Sequence, residues 1–348
     1  MNKLVATLFM IGLIAVGALG QAPTLKIVTE TPGLPSDLFY GNVKVKPVRL
    51  RPCASLPCTP VPITIADYDF FIQEQYIDFL RRFPDPGPDG IYGTADDSLT
   101  YYLNLINNYL NTAPCTPSSV ECVKVIRGIE SANFFRSPEF QRKGNYVMFL
   151  YMVSIGQRPV NPTELASKND PNLNDRPHYS EFFADLGSIS TPNDDPALTE
   201  TKKAALADAW MLRSQIQALY PPDPTMTNAQ FVQKLLDTAG VTNSQQSQLV
   251  TDLNNNAKTR AQVLRIIAES PEVTAKFYKQ AFVTMEYFGY LRRDPEDCHN
   301  PANWTNNDPN NCGYIFHNNR FNLGFDPSDV ENVIVRGFIE SPEYINRF

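Results

Sequence analysis

Residues 85 to 97 read DPGPDGIYGTADD, and five of them offer oxygens at spacings a hard cation can use. Asp85, Asp89, Gly90 and Asp96 fall at positions 1, 5, 6 and 12 of a calcium-loop count, Ile91 offers its carbonyl at position 7, and Asp97 follows. Calcium takes six or more oxygens in flexible geometry, and an Asp-rich glycine loop is how a chain supplies them. Gly87, at position 3, has no donor side chain, and position 12 is Asp where a bidentate Glu would be expected. The competing reading is a solvated Asp/Gly turn with no ion. Calcium is the one cofactor this pattern suggests.

Other reactive residues are sparse. Two Arg-Arg pairs, Arg81 with Arg82 and Arg292 with Arg293, close helical segments, where cations complement exposed carbonyls. Pairing with Asp85, or with Asp294 and Asp297, is expected in preference to an anion clamp. The three histidines, His178, His299 and His317, lie in Pro- and Asn-rich stretches. No His-Glu-x-x-His, Gly-x-Ser-x-Gly or P-loop motif occurs, and no carboxylate pair stands out, so no catalytic residue is assigned and a non-enzyme is expected. Six cysteines fall as three close pairs, and a local disulfide is expected for each: Cys53 with Cys58, Cys115 with Cys122, and Cys298 with Cys312. A zinc site using Cys298, His299, Cys312 and His317 matches no closed tetrahedral spacing. The aromatics of the Asn-rich stretch, Trp304, Tyr314, Phe316 and Phe321, either display themselves to a ligand or fold back over the helices.

The elements that must position these residues form an internal repeat. FIQEQYIDFLRRFPD from Phe71 and FVTMEYFGYLRRDPE from Phe282 share Phe, Tyr, Leu, Arg, Arg and Pro at equal offsets. A weaker copy starts at Tyr146, placing Tyr151, Ile155 and Pro159 at those offsets, and a fourth starts at Phe231 without the arginines. At ~100° per residue the large apolar positions fall on one side of a helix. The tripeptide Ser-Pro-Glu also recurs, at 137–139, 270–272 and 341–343. Ser137, Ser270 and Ser341 suit an N-cap, the following proline suits the first helical position, and the glutamate complements the positive end of the helix dipole. The word is a helix start signal.

The ordered pattern Phe-Val-x3-Tyr-x3-Leu-x-Arg-x-Pro-Asp, a Gly-containing loop and a Ser-Pro-Glu-Phe helix resembles an exported bacterial helical domain family of unknown function. That family is similar in pattern to phycobilisome linker domains. The resemblance spans Tyr68 to Phe348 and is best over Phe71–Asp85, Val123–Pro159 and Phe231–Pro295, with FIESPEYINRF at the end. Members occur, often in tandem, in surface-layer and haemolysin-like calcium-binding proteins. The resemblance implies an all-α fold and brings no active site with it. This chain departs from it by carrying Arg81 and Arg292 where members have Gly, a residue Gly156 retains, and by a longer insertion in place of the Asp-x-x-Gly loop.

The N-terminus, MNKLVATLFMIGLIAVGALGQAP, has a positive start, an apolar run and small residues at 18 and 20, which reads as a cleaved secretory signal over 1–20. Apolar content of 43% with 19% charged residues is that of a globular chain. The net charge of −7, with no concentrated basic face, argues against nucleic acid as a partner. The expected organisation is a Pro-rich extended arm over 21–66, a first helical repeat unit over 67–165, a loop-rich connector over 166–200 and a second helical repeat unit over 201–348. The fold expected is mainly α, a helical bundle built from divergent repeats. The expected location is secreted, extracellular or periplasmic, with no membrane span after signal cleavage. The expected function is a non-catalytic surface or structural module binding another protein or a cell-surface or matrix polysaccharide. The alternatives are a calcium-assisted secreted hydrolase or a carbohydrate-binding module acting on polysaccharide.

Overall fold

In the computed structural model the protein is mainly α-helical. The residues described are 65–348, apart from 86, 91–93, 168–176, 192–193 and 324, together with five short strands that precede them. The expected signal sequence and Ile91 lie outside the described residues. So do Cys53 and Cys58, and the bridge expected between Cys53 and Cys58 is not among the structural features that follow. The chain divides into two compact units, residues 1–62 and 63–348.

The strands are β1 (Leu25–Val28), β2 (Asp37–Tyr40), β3 (Val43–Lys46), β4 (Arg49–Arg51) and β5 (Val61–Ile63). The first three form an antiparallel sheet in the order β1-β2-β3, with Leu25 opposite Tyr40 and Tyr40 opposite Val43, and β4 pairs with β5. A backbone bulge interrupts the β2–β3 register between Leu38 and Phe39. The Pro-rich stretch read as an extended arm thus carries sheet.

In the second unit all three Ser-Pro-Glu words start helices. The Ser137 hydroxyl accepts the Phe140 amide at 3.1 Å, Ser270 accepts Val273 at 3.3 Å, and Ser341 accepts Tyr344 at 3.1 Å. Ser137 and Ser341 also donate to the carbonyls of Phe134 and Phe338, at 2.7 Å each, which ties the cap to the preceding helix. The word at Ser270 opens the helix Pro271–Glu286, which runs unbroken into the motif at Phe282.

The motif helices end alike. Helix Tyr68–Gln75 widens into a π turn over Tyr76–Leu80, and helix Pro271–Glu286 does so over Tyr287–Leu291. In each the carbonyl of the motif tyrosine, Tyr76 or Tyr287, accepts the amide of the arginine five residues on. That arginine is left-handed: φ is +57° at Arg81 and +51° at Arg292. In the copy from Tyr146 the corresponding residue is Gly156, at φ +119°, and its amide bonds the Tyr151 carbonyl at 3.2 Å. The position is a left-handed helix stop, for which glycine is the least strained residue. The copy from Phe231 stops one residue earlier, on Gly240.

The 63–348 core joins the two motif halves. Phe79 and Tyr290, at the same place in their copies, meet edge to face at 4.9 Å. Beside them a Cβ added to Gly289 would lie 2.0 Å from the Phe79 ring, so only glycine allows the helices to cross this closely. The helices preceding two of the words, Val120–Arg136 and Pro327–Ile339, also pack together, and Gly128 meets the backbone of Asn332. Each of those two residues stands nine positions ahead of its cap serine, so equivalent surfaces face each other. The 166–200 stretch, expected to be a loop-rich connector, contains helix Tyr179–Ile189, whose Phe182 and Leu186 enter the same core. Its apolar residues at 179, 182, 183, 186 and 189 carry a helical period within a polar composition.

Candidate functional site

The insertion after the first motif builds a groove of about 720 Å3. Its walls include Tyr76, Tyr101 and Tyr102 with Asp85, Asp96 and Asp97. The aromatic wall is layered from core to surface. Tyr76 lies edge-on to the buried Phe134 at 4.9 Å, Tyr102 stacks on Phe134 at 4.8 Å, and Tyr101 sits edge-on to Tyr102 at 5.3 Å. Tyr101 ends this ladder 58% exposed, a large ring held at the surface by rings beneath it. Burial raises the Tyr76 phenol to about 12, with a Ser98 hydrogen bond opposing, so it stays a neutral donor.

The carboxylates of this loop already serve the loop. Asp85 Oδ1 accepts the Gly87 amide at 3.0 Å, and the Asp85 backbone bonds Ser98. Asp97 is the N-cap of helix Ser98–Leu110: one oxygen takes the Thr100 amide and the other takes the Thr100 hydroxyl at 2.9 Å. Asp96 Oδ1 accepts the Thr94 hydroxyl at 2.7 Å, which holds its carboxyl below the ordinary range. Gly87 is left-handed at φ +77°, and a Cβ there would fall 2.7 Å from Asp96. Among the described residues no group of three or more His, Cys, Asp and Glu side chains lies close enough to hold a metal. Of the expected ligand set, Asp85, Asp96 and Asp97 line this groove together, the Asp89 backbone bonds Asp96, and Ile91 lies outside the described residues.

The arginine pairs reach partners far from them in sequence. Arg82 forms a two-pronged bridge to Glu139, Nε to Oε1 at 2.9 Å and Nη2 to Oε2 at 2.6 Å. Arg293 makes the matching bridge to Glu343, at 2.6 and 3.0 Å, and adds Glu296 at 2.9 Å. Each thus binds the glutamate of the Ser-Pro-Glu word that follows it, rather than the carboxylates of Asp85, Asp294 or Asp297, although Arg293 also donates to the Asp294 carbonyl at 2.9 Å. Where the motif from Phe231 lacks arginines, the glutamate of its word, Glu272, keeps a buried oxygen with no hydrogen-bond partner among the described residues. Arg292 turns to Asp78 of the other copy at 2.7 Å, and Arg81 lies over the Phe183 ring at 4.7 Å. These are structural clamps.

Of the three expected bridges, Cys115–Cys122 and Cys298–Cys312 are disulfides, so the zinc arrangement has no thiolates to use. The third does not appear among the described residues, because Cys53 and Cys58 both lie outside them. His317 is pulled down to about 4, mostly by burial and then by Arg320, and stays neutral. His178 pairs with Asp294 at 2.8 Å and His299 with Asp297 at 3.1 Å. Of the Asn-rich aromatics, Tyr314 and Phe321 are buried, Trp304 donates to the Cys298 carbonyl at 2.9 Å, and Phe316 remains exposed. They mainly cover the helices.

Two features escaped the sequence reading. Tyr101 and Tyr102 look like helix-face residues until the insertion folds over them. Glu286 is fully buried, neither carboxyl oxygen has a partner among the described residues, and burial followed by Glu331 raises it well above the ordinary value. Its counterpart at the same offset in the first copy is Gln75. No helix among the described residues is long and apolar enough to cross a membrane. Comparison with protein-family models, with curated proteins and with solved structures found no match to this chain.

Proposed function

We propose that the chain is a non-catalytic interaction module working outside the cytosol, and that the Tyr101 groove binds a polysaccharide. The observation that carries this reading is Tyr101 itself, an exposed ring fixed by stacked aromatics beside the exposed carboxylate of Asp96, one oxygen of which accepts the Thr94 hydroxyl. A flat ring held in advance can cover the C–H face of a sugar with little loss of side-chain entropy, and carboxylates accept its hydroxyls. The two disulfides and the leader-like N-terminus support a location beyond the reducing cytosol. A hydrolase is the weaker reading. Glycoside hydrolysis needs a carboxylic acid raised toward neutrality, whereas Asp96 is lowered and the raised Glu286 is sealed in the core. The likeness to the exported helical family agrees with a binding role and names no ligand.

The test is retention of the purified protein on a panel of insoluble polysaccharides (cellulose, chitin and peptidoglycan), with Tyr101→Ala in parallel and a reducing-end assay on the same mixtures. Retention by at least one polymer, lost in Tyr101→Ala without release of reducing ends, is the expected result. Equal retention of the variant, or no retention by any polymer, overturns the groove assignment. Release of reducing ends overturns the non-catalytic reading.

A further inference from the structure

A second cavity, of about 350 Å3, lies between the turn at 65–66, helix Val120–Arg136 and the C-terminal helix Pro342–Ile345. It shares no lining residue with the groove. Most of its wall is apolar, including Phe71, Val123, Ile339 and Ile345. The volume falls at the lower end of the roughly 300–1,000 Å3 usual for small-molecule sites.

Two polar side chains in that wall each keep one buried atom with no hydrogen-bond partner among the described residues, Arg127 Nε and the Tyr344 hydroxyl. Arg127 donates through Nη2 to the carbonyls of Ile65, at 2.9 Å, and Ala66, which fixes the guanidinium 4.9 Å from the Phe71 ring centre. Its Nε has no partner, and no carboxylate among the described residues stands within ion-pair distance of it; Asp67 acts on it only from farther away. Tyr344 is 1% exposed, and its hydroxyl also has no partner. Glu340, the carboxylate in the wall, is already held by Lys124 at 3.2 Å and Arg336 at 3.3 Å. Besides the Lys124–Glu340 pair, the wall therefore holds a fixed cation and a buried hydroxyl donor whose Nε and Oη have no hydrogen-bond partner among the described residues, with Asp78 and Glu74 acting on Tyr344 from beyond the lining. Burial pulls the Arg127 guanidinium down, the direction that follows when no close anion compensates desolvation. Arg127 and Tyr344 are near enough to influence each other's ionisation. Leaving such donors buried and unanswered is costly, and an anion that reaches both recovers that energy on binding.

We propose that this cavity binds a small monocarboxylate with an apolar body, its carboxylate on Arg127 and the Tyr344 hydroxyl and its hydrocarbon against Phe71, Val123 and Ile339. A planar guanidinium suits a carboxylate, and the other charged side chains of the lining, Lys124 and Glu340, already pair with each other at 3.2 Å. Inorganic phosphate lacks the apolar part and would leave the lining uncovered.

The experiment uses the full chain and measures binding of benzoate and isovalerate by saturation-transfer NMR and by thermal shift. Benzyl alcohol and inorganic phosphate are the controls. Tyr344→Phe keeps the buried ring and removes only the hydroxyl, and Ile345→Trp fills the cavity from its half-exposed rim. Carboxylate binding should exceed that of benzyl alcohol and phosphate, weaken about tenfold in Tyr344→Phe, as loss of one charge-assisted hydrogen bond implies, and vanish in Ile345→Trp. Absence of benzoate and isovalerate binding, or binding unchanged in both variants, overturns the proposal, as does equal binding of benzyl alcohol.

Discussion

Glu286→Gln should make the protein less sensitive to rising pH. Glu286 ends the helix Pro271–Glu286, has no exposed surface, and finds no hydrogen-bond partner for either oxygen among the described residues. Ionisable groups reach it from two directions: Glu331 from helix Pro327–Ile339, and Tyr278 and Tyr290 from its own segment, with Arg136 bound to Glu331 at 2.8 Å. Burial first and Glu331 second raise its carboxyl well above 4.5. In the unfolded chain the group loses its proton near that ordinary value, while in the folded protein it keeps it. Between the two pKa values the unfolded state binds fewer protons, so stability falls as pH rises, by up to about 1.4 kcal/mol per pH unit. Below the unfolded value the contribution is fully present, and above the folded value it is lost. Glutamine cannot titrate and has nearly the same shape, so at pH 4 the variant should differ from the parent by about 1.5 kcal/mol or less. Gln75, at this position in the first copy, accepts the Tyr290 hydroxyl at 3.1 Å through Oε1, while its buried Nε2 has no partner among the described residues, so an amide fits the space without being fully bonded. The assay is urea unfolding followed by circular dichroism from pH 4 to pH 9, read as the difference between parent and variant. That difference should move in the variant's favour as pH rises. A difference constant with pH, or one moving the other way, would refute the reasoning.

The two arginine–glutamate clamps should differ in strength. Double-mutant cycles should give about 1.5–3 kcal/mol of coupling for Arg82–Glu139, whose side chains are 11% and 8% exposed. Coupling of about 0.2–1 kcal/mol is expected for Arg293–Glu343, at 37% and 46%, and equal values would refute the role given to burial. Arg81→Gly should change stability by less than about 1 kcal/mol, since relief of left-handed strain is offset by loss of the Phe183 contact and by added unfolded-state entropy. Arg292→Gly should instead destabilise by about 1–3 kcal/mol through loss of its bridge to the buried Asp78, and chemical denaturation of both variants checks the contrast. Ser270→Ala should cost about 0.5–2 kcal/mol in the same measurement, with polysaccharide retention unchanged. Alkylation without reductant, followed by peptide mass analysis, should leave Cys115, Cys122, Cys298 and Cys312 unlabelled, and labelling of any of them would contradict the bridges.

Much of the scaffold could be read before any coordinates, and the reasons are local. The Ser-Pro-Glu words start helices because hydroxyl, ring and carboxylate each act within one turn of backbone. The glycine at 156, set against arginine at 81 and 292, marks a shared helix stop because φ is a property of a single residue. Cys115 meets Cys122, and Cys298 meets Cys312, because a short loop keeps each pair close. The insertion was harder to read. The Asp spacing fits a cation loop, and it is silent on the local duties that Asp97 takes up as a helix cap and Asp85 as the acceptor of its own turn.

Periodicity announces that the faces of Phe71–Leu80 and Phe282–Leu291 will be buried, and is silent on what buries them. Nothing near Arg82 in the chain points to Glu139, 57 residues away, more than to Asp85 three residues away. The same gap hid the groove ladder from Tyr76 to Tyr101 and the cavity that Arg127 and Tyr344 both line. Side-chain chemistry and backbone preference act over a few residues and are written in order along the chain. Which buried cation meets which acid, and which is left without one, depends on helix crossings set by packing of the entire core at once.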